Sequence, residues 1–272
     1  MKLSIIIVSF NTRKLTLDCL NSVYKEDAEL DYEAVVVDNA SKDGSTDALI
    51  KLQATNSGLK TIFNKENLGF AKANNQGIKI AKGEYILFLN SDTIVQKGSL
   101  GKLIEFAEKT PDAGVVGAKL LNRDGGIQAS CFNFPSIKNA ILQYWFGKKG
   151  LFDKYAPKGK GPAVVDAVVG AVFLITPLAL EKVGLLDERY FMYFEDIDYC
   201  RRVKAAGLKV YYLPEAGIIH YHGESGKTIK DESSQWKRLI PSSKIYHGVL
   251  KHYILTLVIW LGQKVQKALW TN

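Results

Sequence analysis

Three carboxylates, Glu195, Asp196 and Asp198, stand inside the aromatic run of residues 190–202, Tyr-Phe-Met-Tyr-Phe-Glu-Asp-Ile-Asp-Tyr-Cys-Arg-Arg. Desolvation and mutual repulsion raise the pKa of at least one member of such a cluster and yield a usable general base. The same acids also suit the first turn of a helix, with Arg201 and Arg202 pairing back onto them. Other reactive groups lie far away in sequence. Asp92 closes Asn90-Ser91-Asp92 after the apolar Tyr-Ile-Leu-Phe-Leu, where a carboxylate is placed to hold a hard divalent cation that bridges two phosphates. His220 and His222, in Ile-Ile-His-Tyr-His-Gly, share one side of an extended strand. An imidazole joined to Asp92 suits Mn2+ slightly better than Mg2+. Asp38, after another apolar run, can accept a hydrogen bond from a pyrimidine ring N–H or a ribose hydroxyl.

Hydrophobic patterning supplies the elements that must position these groups. Residues 3–9 are β-branched and apolar on both faces, as in a central parallel strand. Asn11 and Thr12 offer N-cap oxygens to a helix over 13–24 with Leu15, Cys19, Leu20 and Val23 as its apolar stripe. Strands at 32–37, 61–64 and 85–89 alternate with helices at 45–52 and 67–81, the second stopped by Lys82-Gly83. This alternation predicts a parallel sheet with right-handed crossovers, which gathers ligands at the carboxyl ends of its strands. Ser9-Phe10-Asn11, Asp38-Asn39 and Asn90-Ser91-Asp92 all fall there. Asn67, Gly69 and Ala71 open the third helix, where small side chains let a phosphate approach backbone N–H groups. Beyond Asp92 the pattern predicts a helix at 99–108 and a strand at 114–121, then irregular sequence through Gly161. Residues 164–175 are β-prone, with Gly170-Ala171 at a point of close approach for a ligand. A helix at 178–183 and strands at 209–213 and 217–221 follow.

With 272 residues, 47% of them hydrophobic, the chain can bury a full core in one large α/β domain. Cys19, Cys131 and Cys200 are odd in number and scattered, which excludes a disulfide framework or zinc cluster and fits a reducing, cytoplasmic setting. The first apolar run is broken at Ser4 and Ser9 and does not read as a signal peptide. No glycine lies between Val8 and Leu20, against a dinucleotide fingerprint, and no P-loop occurs. From Lys227 onward there are eight Lys or Arg against Asp231 and Glu232, so +6 of the net +8 belongs to the tail. That distribution points to an anionic membrane surface rather than to a nucleic acid. The tail places Ile254, Val258, Leu261, Val265 and Leu269 at helical spacing, with Trp260 and Trp270 as anchors and Lys264 and Lys267 elsewhere on its surface. Its apolar run is about half the ~20 residues of a spanning helix, so it lies in the interface plane or packs on protein.

The ordered motifs Val-Ser-Phe-Asn, Asp-Asn-Ala-Ser-x-Asp-Gly-Ser, Asn-Leu-Gly-Phe-Ala-x-Ala-Asn-Asn-x-Gly, Leu-Asn-Ser-Asp, Gly-Ala-x-Phe-Leu-Ile, the 190–202 run and His-x-His-Gly-x-Ser resemble those of family 2 glycosyltransferases. The likeness is strongest to their bacterial rhamnosyltransferase-like branch. It implies the GT-A fold, a Rossmann-like, mostly parallel sheet flanked by helices, over residues 1–225. A nucleotide-binding half would span 1–95 and an acceptor-binding half 96–225, with a basic amphipathic helical tail at 226–272. The resemblance makes Asp196 the catalytic base, supported by Glu195 and Asp198, with Asp92 and His220 on Mn2+ or Mg2+. Asp38 would read the base, while Ser9, Asn11, Asn67, Gly69, Ala71, Asn75, Asn90 and Ser91 would line the nucleotide-sugar site. Gly170, Ala171 and Asp198 would face the acceptor. It further implies inverting transfer from a nucleotide-sugar, dTDP-rhamnose as the leading donor, to a glycan or polyprenyl-linked acceptor in surface-polysaccharide synthesis. The enzyme would sit peripherally on the inner face of the cell membrane. A UDP-sugar donor (galactofuranosyl or N-acetylglucosaminyl) and a non-catalytic nucleotide-sugar-binding scaffold are the alternatives. Thr176-Pro177 departs from the family, many of whose members carry a basic residue there.

Overall fold

A computed structural model describes residues 1–25, 30–221 and 232–270. Its first half is the expected alternation: β1 (Leu3–Ser9), α1 (Arg13–Val23), β2 (Tyr32–Asp38), α2 (Ser45–Thr55), β3 (Leu59–Phe63), α3 (Phe70–Ile80) and β4 (Tyr85–Leu89). β1 pairs in parallel with both β2 and β4, and β2 with β3. The run of apolar residues in β1 is explained by burial on two sides. Ile5 and Ile7 enter one core layer with Leu20, Val23 and Leu87, while Ile6 enters the other with Ala71, Phe173 and Tyr199. Gly83 does not act as a left-handed cap. Ala81 ends α3 in an extended conformation, and a side chain on Gly83 would collide with the backbone of Ser4, whose Oγ accepts from the Gly83 N–H at 2.7 Å.

The second half completes the same sheet and makes it mixed. It comprises β5 (Thr93–Val95), α4 (Ser99–Lys109), β6 (Ala113–Leu121), β7 (Ile127–Gln128), β8 (Cys131–Phe132), α5 (Ile137–Tyr144), β9 (Ala163–Val165), β10 (Ala167–Val168), β11 (Val172–Ile175), α6 (Pro177–Val183), α7 (Glu195–Ala205) and β12 (Lys209–His220). The strand order is β3-β2-β1-β4-β11-β6-β12-β5, with β7 on β6 and β9 on β12. β11 runs antiparallel to both β4 and β6. Three expectations change. Residues 164–175 divide into three short strands rather than one. The irregular stretch contains α5, capped by Ser136 Oγ on the Asn139 N–H. Residues 209–213 and 217–221 form a single strand, β12, whose register shift between Leu213 and Gly217 absorbs Pro214 as a bulge.

Two further helices, α8 (Glu232–His247) and α9 (Val249–Trp270), close the chain. Trp145 Nε1 donates to the Val258 carbonyl at 2.9 Å and Gln266 Nε2 to that of Gln143 at 3.2 Å, so α9 lies against α5. The buried side of α9 runs through His252 and Leu255, not along the anticipated stripe: Ile254 and Leu261 are exposed. The Leu269 side chain lies outside those described, as do Trp270's and all of residues 222–231, His222 among them.

Candidate active site

The loop before α7 is held in a costly shape. Tyr193 and Phe194 both have φ 69°, a left-handed conformation that bulky residues adopt at a cost of roughly 1–3 kcal/mol each. Surrounding contacts impose it. The Phe191 carbonyl accepts from Phe70 N at 2.7 Å, the Met192 carbonyl from Ser242 Oγ at 2.8 Å, and the Phe194 carbonyl from Asp198 N at 2.8 Å. The Phe194 ring also packs on Tyr246, centroids 5.3 Å apart. The result aims the start of α7 at the turn between β10 and β11.

The three carboxylates there have different surroundings. Asp196 accepts from Gly170 N through Oδ2 at 2.9 Å and from Ile197 N through Oδ1 at 2.8 Å. Burial pushes its pKa up, while the two N–H donors and the positive charge of Lys154 oppose the rise. Glu195 is buried beside a small hollow lined by Phe70, Phe88, Gly170, Phe173 and Leu186, and its Oε2 has no protein hydrogen-bond partner. Burial, then the neighbouring Asp196 charge, drives its carboxyl well above the ordinary range. Both carboxyls are therefore raised, Glu195 further than Asp196, whose oxygens are held by two N–H donors. Asp198, two residues along the helix, faces elsewhere. Arg201 Nη2 reaches its Oδ1 at 2.6 Å, Arg202 Nε its Oδ2 at 2.9 Å, and Tyr190 OH lies 3.5 Å from Oδ1. Both oxygens are occupied in anchoring the helix, an arrangement that favours a structural part for Asp198 over the acceptor contact expected of it.

Asp92 follows β4 and is buried. β5 then pairs antiparallel with the end of β12, His220 opposite Thr93, which carries His220 Nε2 to 3.4 Å from Asp92 Oδ1. Among the described residues no cluster of three or more His, Cys, Asp or Glu forms a metal-binding group. Two donors fit the hard-cation chemistry of a phosphate site, in which phosphate oxygens and waters complete the shell. Bonds of ~2.1 Å at right angles put adjacent donors about 3.0 Å apart, close to the observed separation.

The expected nucleotide residues fall into two groups. Asp38 is buried at the end of β2. Its Oδ2 accepts from Ser41 N at 3.0 Å and Thr46 Oγ1 at 3.3 Å, while Oδ1 has no protein partner and remains an acceptor for a ligand donor. Asn11, with φ 54°, donates its N–H to Ser41 Oγ and accepts from Lys42 N at its Oδ1, and so fastens the Asp38 loop to the end of β1. Other residues are spent inside the fold. Ser9 Oγ shares hydrogen bonds with Thr12 and Thr16, and Thr12 with Ser91, which ties β1 to the Asp92 loop instead of capping α1. Asn75 grips the Leu186 backbone, Nδ2 to the carbonyl at 2.9 Å and Oδ1 from the N–H at 3.1 Å. Ala71 is a core residue. Asn67 Oδ1 accepts from Gly69 N. Gly69, φ 84°, is required because a Cβ would strike the Phe191 carbonyl. The first N–H of α3 is thus occupied by Phe191 rather than open to a phosphate.

A chain of contacts joins the rim. Asn39 N bonds the Ser9 carbonyl at 2.8 Å, Ser91 meets Thr12, and Asn90 N bonds the Ala171 carbonyl at 2.9 Å next to Gly170 on Asp196. Sequence reasoning missed Lys154, Phe191 and Gln143. Gln143 Oε1 collects the N–H groups of Leu151, Phe152 and Asp153 and shapes the loop that brings Lys154 toward Asp196. The Lys-rich composition of 148–160 was the only hint.

The geometry defines a mixed α/β sheet with acidic and imidazole groups gathered along the ends of its strands, and comparison with known proteins supplies the class. Residues 4–146 match Glycosyl transferase family 2 and residues 85–264 match Glycosyl transferase family group 2. The chain belongs to glycosyl transferase family 2. It is 28% identical over 208 residues to N-acetylglucosaminyl-diphospho-decaprenol L-rhamnosyltransferase of Mycobacterium tuberculosis, covering 70% of this chain and 67% of that one. It is 26% identical over 229 residues to the dTDP-rhamnosyl transferase RfbF of Shigella flexneri, covering 83% and 70%. The mannosyltransferase PcManGT of Pyrobaculum calidifontis, solved with GDP-Man and Mn2+, shares the fold with a TM-score of 0.61 at 17% identity, over 94% of this chain and 64% of that one. The chain thus spans about two thirds of the length of these relatives.

Proposed function

We propose that this protein is an inverting glycosyltransferase that moves a sugar, with dTDP-rhamnose as the leading donor, to a hydroxyl of a glycan or lipid-linked acceptor in cell-surface polysaccharide synthesis. The observation that carries the reading is Asp196, fixed by the Gly170 N–H and raised by burial, on the same rim as Asp38, Asp92 and His220. In this reading Asp196 takes the proton of the attacking acceptor hydroxyl. Burial of Glu195 disfavours a second negative charge beside it. In this reading the unpartnered Asp38 Oδ1 would accept the ring N–H common to thymine and uracil, with UDP-sugars as the second reading. Asp92 and His220 would hold Mn2+ or Mg2+, which when bound offsets charge on a leaving nucleoside diphosphate.

The tail supports peripheral attachment to the inner face of the cell membrane. Among the described residues no single helix is long and apolar enough to cross a bilayer; residues 238–247 of α8 and 249–267 of α9, bent by 118°, reach that length and composition only together. Beyond its contact with α5, α9 exposes Leu250, Tyr253, Leu257 and Trp260. The catalytic unit of this reading is residues 1–225, with 226–272 as the attachment segment.

A thermal-shift series with dTDP, UDP and GDP, each with and without Mn2+, tests the assignment. Stabilisation by dTDP and UDP that grows with Mn2+, followed by product formation from dTDP-rhamnose, is expected. Preference for GDP, or turnover only with UDP-sugars, overturns the donor assignment.

A further inference from the structure

We infer that Gln128 is a positioning residue that fixes the tautomer of His220 and so makes its Nε2 a cation ligand; this rests on the proposed cation site. Gln128 belongs to β7, which runs antiparallel to the end of β6 with Gln128 opposite Leu120. β6 in turn lies beside β12, Leu120 against Ile218, so the glutamine side chain reaches the end of the neighbouring strand. Its amide orientation is determined by its surroundings. Gln128 Nε2 donates to Asn122 Oδ1 at 2.9 Å and to the His220 carbonyl at 3.3 Å, both of which only accept at those atoms. Oε1 must therefore be the atom 2.7 Å from His220 Nδ1.

An amide oxygen cannot donate, so Nδ1 carries the proton. In the neutral ring Nε2 then presents its lone pair toward Asp92 Oδ1, 3.4 Å away. Two acceptors turned toward each other repel in an empty site and attract once a cation lies between them. Without the glutamine the imidazole is free to place its proton on Nε2, donate to Asp92 and close the site to metal. Outer partners of this kind typically change metal affinity by about 10–100-fold. The Asn122 end of the device is itself organised by its turn, with Asn122 N on the Gly126 carbonyl and Gly125 N on the Asn122 carbonyl.

The test uses the full chain and two readouts. Selective 15N-imidazole spectra of the metal-free protein at pH 8, with the His220 signals assigned by their loss in His220→Gln, report the tautomer directly. The wild type is expected to show Nδ1 protonated and Nε2 bare, and Gln128→Met to move toward the reverse. Mn2+ titration followed by electron paramagnetic resonance should show affinity about 10–100-fold weaker in Gln128→Met. Gln128→Glu, which still accepts from Nδ1–H, should keep Nδ1 protonated and bind Mn2+ more tightly than Gln128→Met. A wild-type His220 protonated at Nε2, or equal Mn2+ affinity in Gln128→Met, overturns the inference. Wild-type protein that binds no Mn2+ overturns the cation site, and the tautomer then decides the part of Gln128 separately.

Discussion

The Gly170 N–H lies 2.9 Å from Asp196 Oδ2, and the carbonyl of the very next residue, Ala171, accepts from Asn90 N at 2.9 Å. Two adjacent residues thereby set the spacing between the proposed base and the loop that carries Asp92. Asp196→Asn is expected to lower kcat by about 10²–10⁴ while Mn2+ and nucleotide binding persist, as measured by product formation beside calorimetric titration. Intact turnover would remove Asp196 from the mechanism.

The pH profile carries a second expectation. Burial raises Asp196 and the Lys154 charge opposes it, so the acid limb of kcat/KM should lie above the ordinary aspartate range near 3.9. Lys154→Met should shift that limb to higher pH. A limb that stays fixed, or moves down, would show that the lysine does not act on the base.

Glu195 should cost the fold stability as pH rises. Its folded pKa is raised above the ordinary value of 4.5, so between those limits the native state binds more protons than the unfolded chain and stability falls with increasing pH. Its favourable contribution is complete below about pH 4.5 and is lost as pH climbs through the raised value. Glu195→Gln should accordingly gain thermal stability over wild type at pH 8 and little at pH 4. A shift of a few degrees is expected, since ~1 kcal/mol moves Tm by about 2–4 °C in a chain of this size. Scanning calorimetry at the two pH values checks it, and equal differences at both would contradict a buried, protonated carboxyl.

Gly69→Ala should destabilise by about 2–4 kcal/mol, because it adds a collision with the Phe191 carbonyl to the strain of a positive φ. Gly125 also has a positive φ, +83°, but open space around a would-be Cβ, so Gly125→Ala gives the cost of a positive φ without a collision, about 1 kcal/mol. Urea denaturation of both variants separates the two contributions.

The outer face of α9 should be required for membrane binding. Leu257 and Trp260 are 55% and 53% exposed, and inserting the surface still exposed is worth about 1–1.5 kcal/mol each. Leu257→Glu with Trp260→Glu should reduce co-flotation with vesicles containing anionic lipid at least tenfold, with the helical circular dichroism unchanged. Undiminished flotation would assign that face to something other than lipid.

The first four strands were legible because β1, β2 and β4 are runs of apolar residues and α1 and α3 carry apolar stripes, whereas β3, with Lys60 and Thr61, showed only through its place in the alternation; residues 3–9 read directly as β1. Alternation could not reveal how the second half inserts, since the antiparallel entry of β11 between β4 and β6 is a tertiary choice. Pro214 looked like the end of a strand, yet a bulge carries it inside β12. At eight residues, α5 is too short to impose a period on a segment rich in Gly and Lys. Within the site, sequence located the polar clusters but not their use. Ser9 and Asn75 have the chemistry of ligand contacts, and only coordinates reveal that Thr16 and Leu186 have already claimed them.

The bond from Phe70 N to the Phe191 carbonyl joins residues 121 positions apart, and the Asn75 clasp on Leu186 spans 111. The third helix of the proposed donor half, α3, is therefore finished by chain from the other half. Residues 1–95 are not a transplantable cassette. A chimera that exchanges this half to change donor choice must bring its matching 186–191 segment with it, and an unmatched graft should betray itself first as a frayed start to α3.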